Sequence, residues 1–531
     1  MKILRDLLMP VSLLAVSFGM NAINPYLPLW EYIPDGEPYV WEDPDNPGKY
    51  RVYIYGSHDT EVSTYCGRNQ VVWSAPVDNL NDWRFDGVIF ENVRDANGNL
   101  LNQEGKGDIL YAPDVALVVE PNGKKTYYLY PNVQAGGRNG LVAKSDRPDG
   151  PFTVTNWSKE NPTVTDGVLG FDPAVFVDDD GRVYGYWGFE ESNAAELDPK
   201  TMATVKPGKK IVKNMVNSHK EDGVFRFFEA SSMRKIEDKY VFIFSRMTED
   251  GEFGLHKTNY TLAYAYSDNP LDPFTYGGTI IDGRGRHTLS DGTVVATADP
   301  HGNTHGSICE INGQWWVFYH RQTGTDEFSR QAMVAPITVS VEKGHGGKVL
   351  ISEGEYNSLG FETDGLKISK TYPAAIASHF TGPKGVELKF PNHIFSGSYI
   401  SAARMDGDPY KLPEGSDMRL TPVVNNVDGS IVGYKYFNFD NAPSDLTLWL
   451  ELAPKGGEGT ITVYAGDPYE SDRQVELGKV NLHADEPDVM TMKSITVSNS
   501  DRLKGKMPVY FRFESDKKDV SLCDFYTLRF Q

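Results

Sequence analysis

The chain has 531 residues, more than one ordinary domain holds, so two or more domains are expected. A hydrophobic share of 40% with 24% charged residues describes a soluble globular protein. The formal net charge of −21 speaks against polyanionic partners, nucleic acid and anionic membrane alike, and suits a neutral substrate.

Residues 1–22 read as an export signal: Lys2 and Arg5 form a short basic start and "LLMPVSLLAVSFGM" an apolar stretch, with cleavage after Gly19 or Ala22. The stretch is too short, and too interrupted by Pro10, to span a membrane. A periplasmic or extracellular location is expected. Cys66, Cys309 and Cys523 are few, distant and odd in number, so no disulfide framework is expected to hold the fold.

From there a unit recurs: a turn of Gly, Asn or Asp, then an alternating strand rich in Tyr, Trp and Val. Its copies are "DPDNPGKYRVYIYGS", "EPNGKKTYYLY", "VDDDGRVYGYWG", "KIEDKYVFIFS" and "EINGQWWVFYHR", centred near Tyr53, Tyr127, Tyr184, Val241 and Trp316. Each reads as the second strand of a β-hairpin. "SDRPDGPF" at Ser145, "SDNPLDPF" at Ser267 and the looser "SAPVDNLNDW" at Ser74 repeat behind three of them. Spacings of 57 to 75 residues leave room for a four-stranded sheet per unit, and regular antiparallel sheets with little helical periodicity predict an all-β chain that opens with a five-bladed β-propeller.

Upstream of the five hairpin turns stand "IPDGEPYVW", "YAPDVALVV", "FDPAVFVD", "FFEASSMRK" and "THGSICEI". Each carries a titratable residue at matching depth: Asp35, Asp114, Asp172, Glu229 and His305. Singly, an Asp before a strand is a turn or cap residue. Five in register would converge on one channel mouth, where like charges raise one another's pKa. Such a cluster suits acid/base hydrolysis of a glycosidic bond, which needs one protonated and one ionised carboxyl group. Glu229, behind Phe227 and Phe228, is the expected proton donor. Trp41 and Trp73, with Trp30, are candidates for a sugar-stacking wall, core packing being the equal alternative. The run "VDDDGR" reads as a turn rather than a calcium loop.

With "NPYLPLWEYIPDGEPYVW", "GFDPAVFVDDDGRVYGYWG", "FFEASSMRK" and "THGSICEINGQWWVFYHR", residues 24 to 345 resemble glycoside hydrolase family 43. The resemblance implies a five-bladed propeller, Asp35 as general base, Glu229 as general acid and Asp172 as the carboxylate that tunes and orients the acid. It makes Asp114 substrate-supporting or structural. It implies no required cofactor, and ties His305 to calcium or sodium in the channel through water; a lone His is a poor direct ligand for such a cation, and a channel histidine satisfied by its neighbours is the plainer reading. The expected reaction is inverting removal of terminal α-L-arabinofuranosyl or β-xylosyl residues from oligosaccharides of plant polysaccharide. The rivals are an endo-arabinanase of the same fold and a non-catalytic carbohydrate-binding propeller. Fructosidases are set aside, because Ala230 rather than Cys follows Glu229 and no Arg precedes "FDPAVF".

Past residue 345 the repeat stops. Residues 346–388 read as a connecting segment, and 389–531, with "GYKYFNF", "LTLWLEL", "GTITVYAG", "VYFRF" and "CDFYTLRF", as a jelly-roll-like β-sandwich resembling carbohydrate-binding module family 6. Its one Trp, Trp449, is expected inside a strand, which argues against sugar binding there.

Overall fold

A computed structural model describes residues 23–271, 273–403 and 420–531; the expected signal, residues 1–22, lies outside them. Among the described residues the chain is all β apart from short 3-10 turns, and no helix is long and apolar enough to cross a membrane.

The first two-thirds form five consecutive antiparallel sheets, each running from its first strand outward in chain order. The first strands are Glu37–Glu42, Asp114–Val119, Ala174–Val177, Phe227–Ile236 and Ser307–Ile311. The second strands are the aromatic repeats: Tyr50–Tyr55, Lys125–Tyr130, Val183–Trp187, Lys239–Arg246 and Gln314–Gln322. The turn between Ile311 and Gln314 is Asn312-Gly313, both with positive φ (51° and 82°), the two-residue geometry whose twist matches that of the flanking strands. The "SDRPDGPF" and "SDNPLDPF" segments join third strands to fourth.

The second strands are apolar on both faces because each sheet is covered on both. Tyr53 and Tyr55 pack against Val115, Tyr127 and Leu129 of the second sheet. Tyr130 and Ala116 meet Val183 and Trp187 of the third, whose Tyr184 and Tyr186 meet Phe242 and Phe244 of the fourth. Val241 and Ile243 meet Val317 and Tyr319 of the fifth. Trp316 and Phe318 then return to Val52 and Ile54 of the first, which closes the ring. Each such side chain contributes about 1.5–3 kcal/mol by burial, so the ring is held by five shared cores rather than one.

The fifth sheet has three strands where four were expected. The segment that would add the fourth, Val339–Val341, pairs instead with Val349–Ile351. The edge of the third strand is met by Asn24 from the start of the described chain: its Oδ1 accepts from the Val334 N–H at 2.9 Å and its Nδ2 donates to the Val334 carbonyl at 2.7 Å. One carboxamide thus does for that edge what a neighbouring peptide would.

Beyond the ring, two six-stranded sheets enclose a single apolar core that includes Leu448, Leu450, Val509, Phe511, Phe525 and Phe530. The expected boundaries shift here. Strands Leu366–Lys367, Thr371–Pro373 and His379–Thr381 already belong to these sheets, so 346–388 is not a mere linker. Residue 389 falls inside a separate hairpin, Val386–Lys389 with Asn392–Phe395. Trp449 is only half-buried; its strand neighbours Leu448 and Leu450 take the core face.

Candidate active site

The first strands begin at one mouth of the ring, and there a cavity of about 710 Å³ is lined by Asp35, Asp172, Glu229 and His305, each from a different sheet or the turn leading into it. All four are nearly inaccessible, Glu229 being 8% exposed. The backbone is bent to present them. Asp35 (φ 61°), Asp172 (φ 47°) and Ala230 (φ 67°) hold left-handed conformations that cost non-glycine residues about 1–3 kcal/mol each.

Asp35 is built to stay ionised. Its carboxylate accepts from the Ser57 hydroxyl at 2.5 Å and from Arg330 Nη1 at 3.2 Å. Burial alone would raise its pKa, yet the Arg330 guanidinium, helped by His305 and the Ser57 bond, brings it below the ordinary carboxylate value. Arg330 is fixed by a forked pairing with Asp59, through Nε at 2.9 Å and Nη2 at 2.8 Å. The Asp35 N–H points at His320 Nδ1, 3.2 Å away, so that nitrogen is the acceptor and Nε2 the donor to the Asn303 carbonyl at 2.8 Å. Burial keeps this histidine neutral, its pKa lowered to about 3.

Glu229 is the opposite case. Burial comes first and the neighbouring charge of Asp172 second, and together they push its pKa well above the usual glutamate range. Asp172 accepts from Asn132 Nδ2 at 2.9 Å and from the Ala230 N–H at 3.1 Å, which ties it to the residue after the acid. Its own pKa is raised by burial, with His305 pulling the other way. His305 stands 3.4 Å from Asp172 and 3.7 Å from Glu37 and is held protonated by them despite its burial. Three of the expected site residues are therefore electrically distinct: Asp35 is held toward its ionised form, Glu229 is pushed toward keeping its proton, and Asp172 stands between a cation and the acid.

Other expected positions lie elsewhere. Asp114 does not line the cavity. It accepts from the Tyr39 hydroxyl at 2.6 Å and from the Val175 N–H at 2.6 Å, which binds the second sheet to its neighbours, and burial with the Glu37 charge raises its pKa to about 6. Trp41 packs on Tyr39 and Tyr127, and Trp73 is a buried core residue whose Nε1 donates to Glu31 at 2.9 Å. The aromatic wall comes instead from Phe171, Phe189 and Phe228, whose rings follow one another at 5.3 and 5.2 Å. Of these only Phe228 is marked by the sequence, through its place just before Glu229. Nothing in the pattern of the chain marks Arg330, His320, Ser57 or Asp59 either, although "FYHR" ends the fifth hairpin repeat and carries His320.

A directly held cation does not fit the histidine's surroundings. Glu37 gives its Oε2 to Arg234 at 2.7 Å, Asp172 accepts from Asn132 and Ala230, and among the described residues no group of three or more His, Cys, Asp or Glu side chains is disposed to ligate a metal. Calcium asks for six to eight oxygens.

The sequence matches the model of "Glycosyl hydrolases family 43" over residues 39–342. The chain belongs to this family. It is a glycoside hydrolase, of a family that requires no cofactor. It is 35% identical over 444 residues to a "Xylosidase/arabinosidase" of Thermoclostridium stercorarium, which covers 78% of this chain and 82% of that relative. It is 30% identical over 295 residues to an "Arabinoxylan arabinofuranohydrolase" of Paenibacillus polymyxa, covering 51% and 43%. Among solved structures, a family 43 arabinoxylan arabinofuranohydrolase from Bacillus subtilis in complex with cellotetraose aligns at a TM-score of 0.45 and 20% identity, across 96% of this chain and 97% of that one.

Proposed function

We propose that the protein removes terminal α-L-arabinofuranosyl or β-xylosyl residues from arabinoxylan or a related plant polysaccharide, by single displacement with inversion. One observation carries this reading: two carboxyl groups in one cavity are pushed to opposite protonation states. Asp35 takes a proton from water as that oxygen attacks the anomeric carbon. Glu229 gives its proton to the departing glycosidic oxygen, and Asp172 keeps that proton in place at neutral pH. Inversion needs the base and acid about 6.5–9.5 Å apart, with room for water between. Arg330 and Ser57 hold the base ionised and aimed.

The reading includes a five-bladed propeller as the catalytic body, and a C-terminal sandwich like carbohydrate-binding module family 6 that braces it. It also includes export by residues 1–22, to which three free cysteines are no obstacle. The names of the relatives support the two sugars.

The test is hydrolysis of chromogenic arabinofuranosides and xylosides, with the anomer of the first-formed sugar read by NMR. Asp35→Ala should lose about 10²–10⁴-fold in kcat on every substrate. Glu229→Ala should lose as much on natural linkages and far less on a dinitrophenyl glycoside, whose leaving group needs no proton. Retention of configuration would refute the mechanism. A wild type inert on pentosides that still binds oligosaccharide would make the protein a lectin.

A further inference from the structure

The hairpin of Val386–Lys389 and Asn392–Phe395 leaves the C-terminal sheets and reaches the cavity, where Leu388 and Phe390 form part of its wall. Phe390 is 68% exposed, and Leu388 is exposed as well. The residues at the cavity floor are all nearly buried, so this hairpin stands at the mouth.

Its attachment is more elaborate than a surface loop requires. His393 is 2% exposed, with Nδ1 on Asp299 and Nε2 3.2 Å from Glu327. The His393 N–H donates to the Thr325 carbonyl at 3.0 Å, Asn392 bridges Asp326, and His301 Nε2 meets the Val386 carbonyl at 3.2 Å. Glu327 also accepts from Tyr65, whose ring lies 5.0 Å from the Arg330 guanidinium that holds the base. These contacts of the hairpin sit on the loops 299–305 and 325–330, which themselves supply cavity walls. The result is a large aromatic ring, presented at a fixed place above a polar floor and covered by little of the chain itself. Water gains nothing from such an arrangement; the C–H face of a sugar does.

We propose that Phe390, with Leu388, is the platform on which the sugar beyond the scissile bond packs, so that a hairpin of the C-terminal part decides how long a glycan the catalytic part accepts. This rests on the hydrolase reading above. In that reading the floor holds the cleaved pentose, the mouth holds what is left behind, and the cavity exceeds what one pentose fills.

The experiment compares two substrates: an arabinoxylo-oligosaccharide and the corresponding pentosyl fluoride, which carries no sugar beyond the bond. For Phe390→Ala the ratio of kcat/KM on the oligosaccharide to that on the fluoride should fall about tenfold relative to wild type, chiefly through KM. Phe390→Trp should restore that ratio, because the stacking face is kept. An unchanged ratio in Phe390→Ala, or a loss shared equally by both substrates, would overturn the platform while leaving the hydrolase reading intact. A ratio that Phe390→Trp fails to restore would overturn it too. A wild type that hydrolyses neither substrate would refute the underlying reading, and the platform with it.

Discussion

Replacing Asp172 with Asn tests the electrostatic arrangement directly, since it deletes a charge while keeping the shape. The falling limb of the kcat/KM–pH profile reports loss of the proton from the acid, and in the wild type it belongs to the coupled Glu229–Asp172 pair rather than to either residue alone. An ionised group within about 4–6 Å shifts a carboxyl pKa by about 1–3 units. Asp172 is near enough for its charge to be the second cause of the raised Glu229 pKa, and its Oδ2 accepts from the N–H of the residue following Glu229 at 3.1 Å. Protonated His305, 3.4 Å from Asp172, cancels part of the effect, so a shift near the lower end, about 1 unit, is expected. Burial remains the larger cause and survives the substitution. The falling limb should therefore move to lower pH by about 1 unit without reaching the ordinary glutamate value. The measurement is kcat/KM on an aryl pentoside between pH 4 and about 9. A limb that stays put, or moves to higher pH, would refute the claim that Asp172 holds the proton on Glu229.

Four further outcomes follow from other contacts. Ser57→Ala removes the 2.5 Å bond that helps keep Asp35 ionised, and the rising limb of the same profile should move to higher pH by about half a unit to one unit. Glu229→Gln should match wild-type stability below the ordinary glutamate pKa and exceed it as pH rises toward neutrality, because the folded wild type must hold a proton that its unfolded chain releases; parallel curves of melting temperature against pH would contradict this. His393, raised to about 9 by Asp299 and Glu327 despite burial, adds stability that is complete below about pH 6.5 and lost as pH climbs to about 9, at most about 3 kcal/mol; His393→Phe should flatten that decline in thermal melts. Asn24→Ala should lower the melting temperature by stranding the Val334 N–H and carbonyl, at about 1–3 kcal/mol per buried group, and an unchanged melt would show that edge to be satisfied otherwise.

The ring and its acids were legible for one reason. Turn chemistry marks where each second strand starts, and the site residues stand a short way before it, near the start of the first strand. That placement says nothing about which way a side chain faces, as Asp114 shows: it holds the equivalent position, yet its carboxylate turns to the Val175 N–H and Tyr39. The tryptophans failed for a related reason. Strands covered on both faces lose the polar alternation that would tell wall from core, and Trp41 and Trp73 went to the cores between sheets. Phe189 and Arg330 lie outside the repeated turns, so nothing periodic marked them. The 386–395 hairpin was invisible because its partners, Asp299 and Glu327, lie far back in the chain and are joined to it only by the fold.

The stretch around Glu229 shows how far a strand pattern can mislead. Strict alternation would place Phe227 and Glu229 on the same face, and Phe227 is buried in the core between the third and fourth sheets, stacked on Phe242. A regular strand would thus send the carboxyl group into that apolar core. The ladder prevents this with two register shifts, one between Phe227 and Glu229 and one between Glu229 and Ser232. The extra residues free Glu229 to face the cavity beside Phe228, and the left-handed Ala230 turns its N–H onto Asp172. Desolvation of the acid therefore does not come from both phenylalanines, as their adjacency suggests. One of them pins the strand in the core, and the bulge converts that fixed point into a carboxyl group aimed at the mouth.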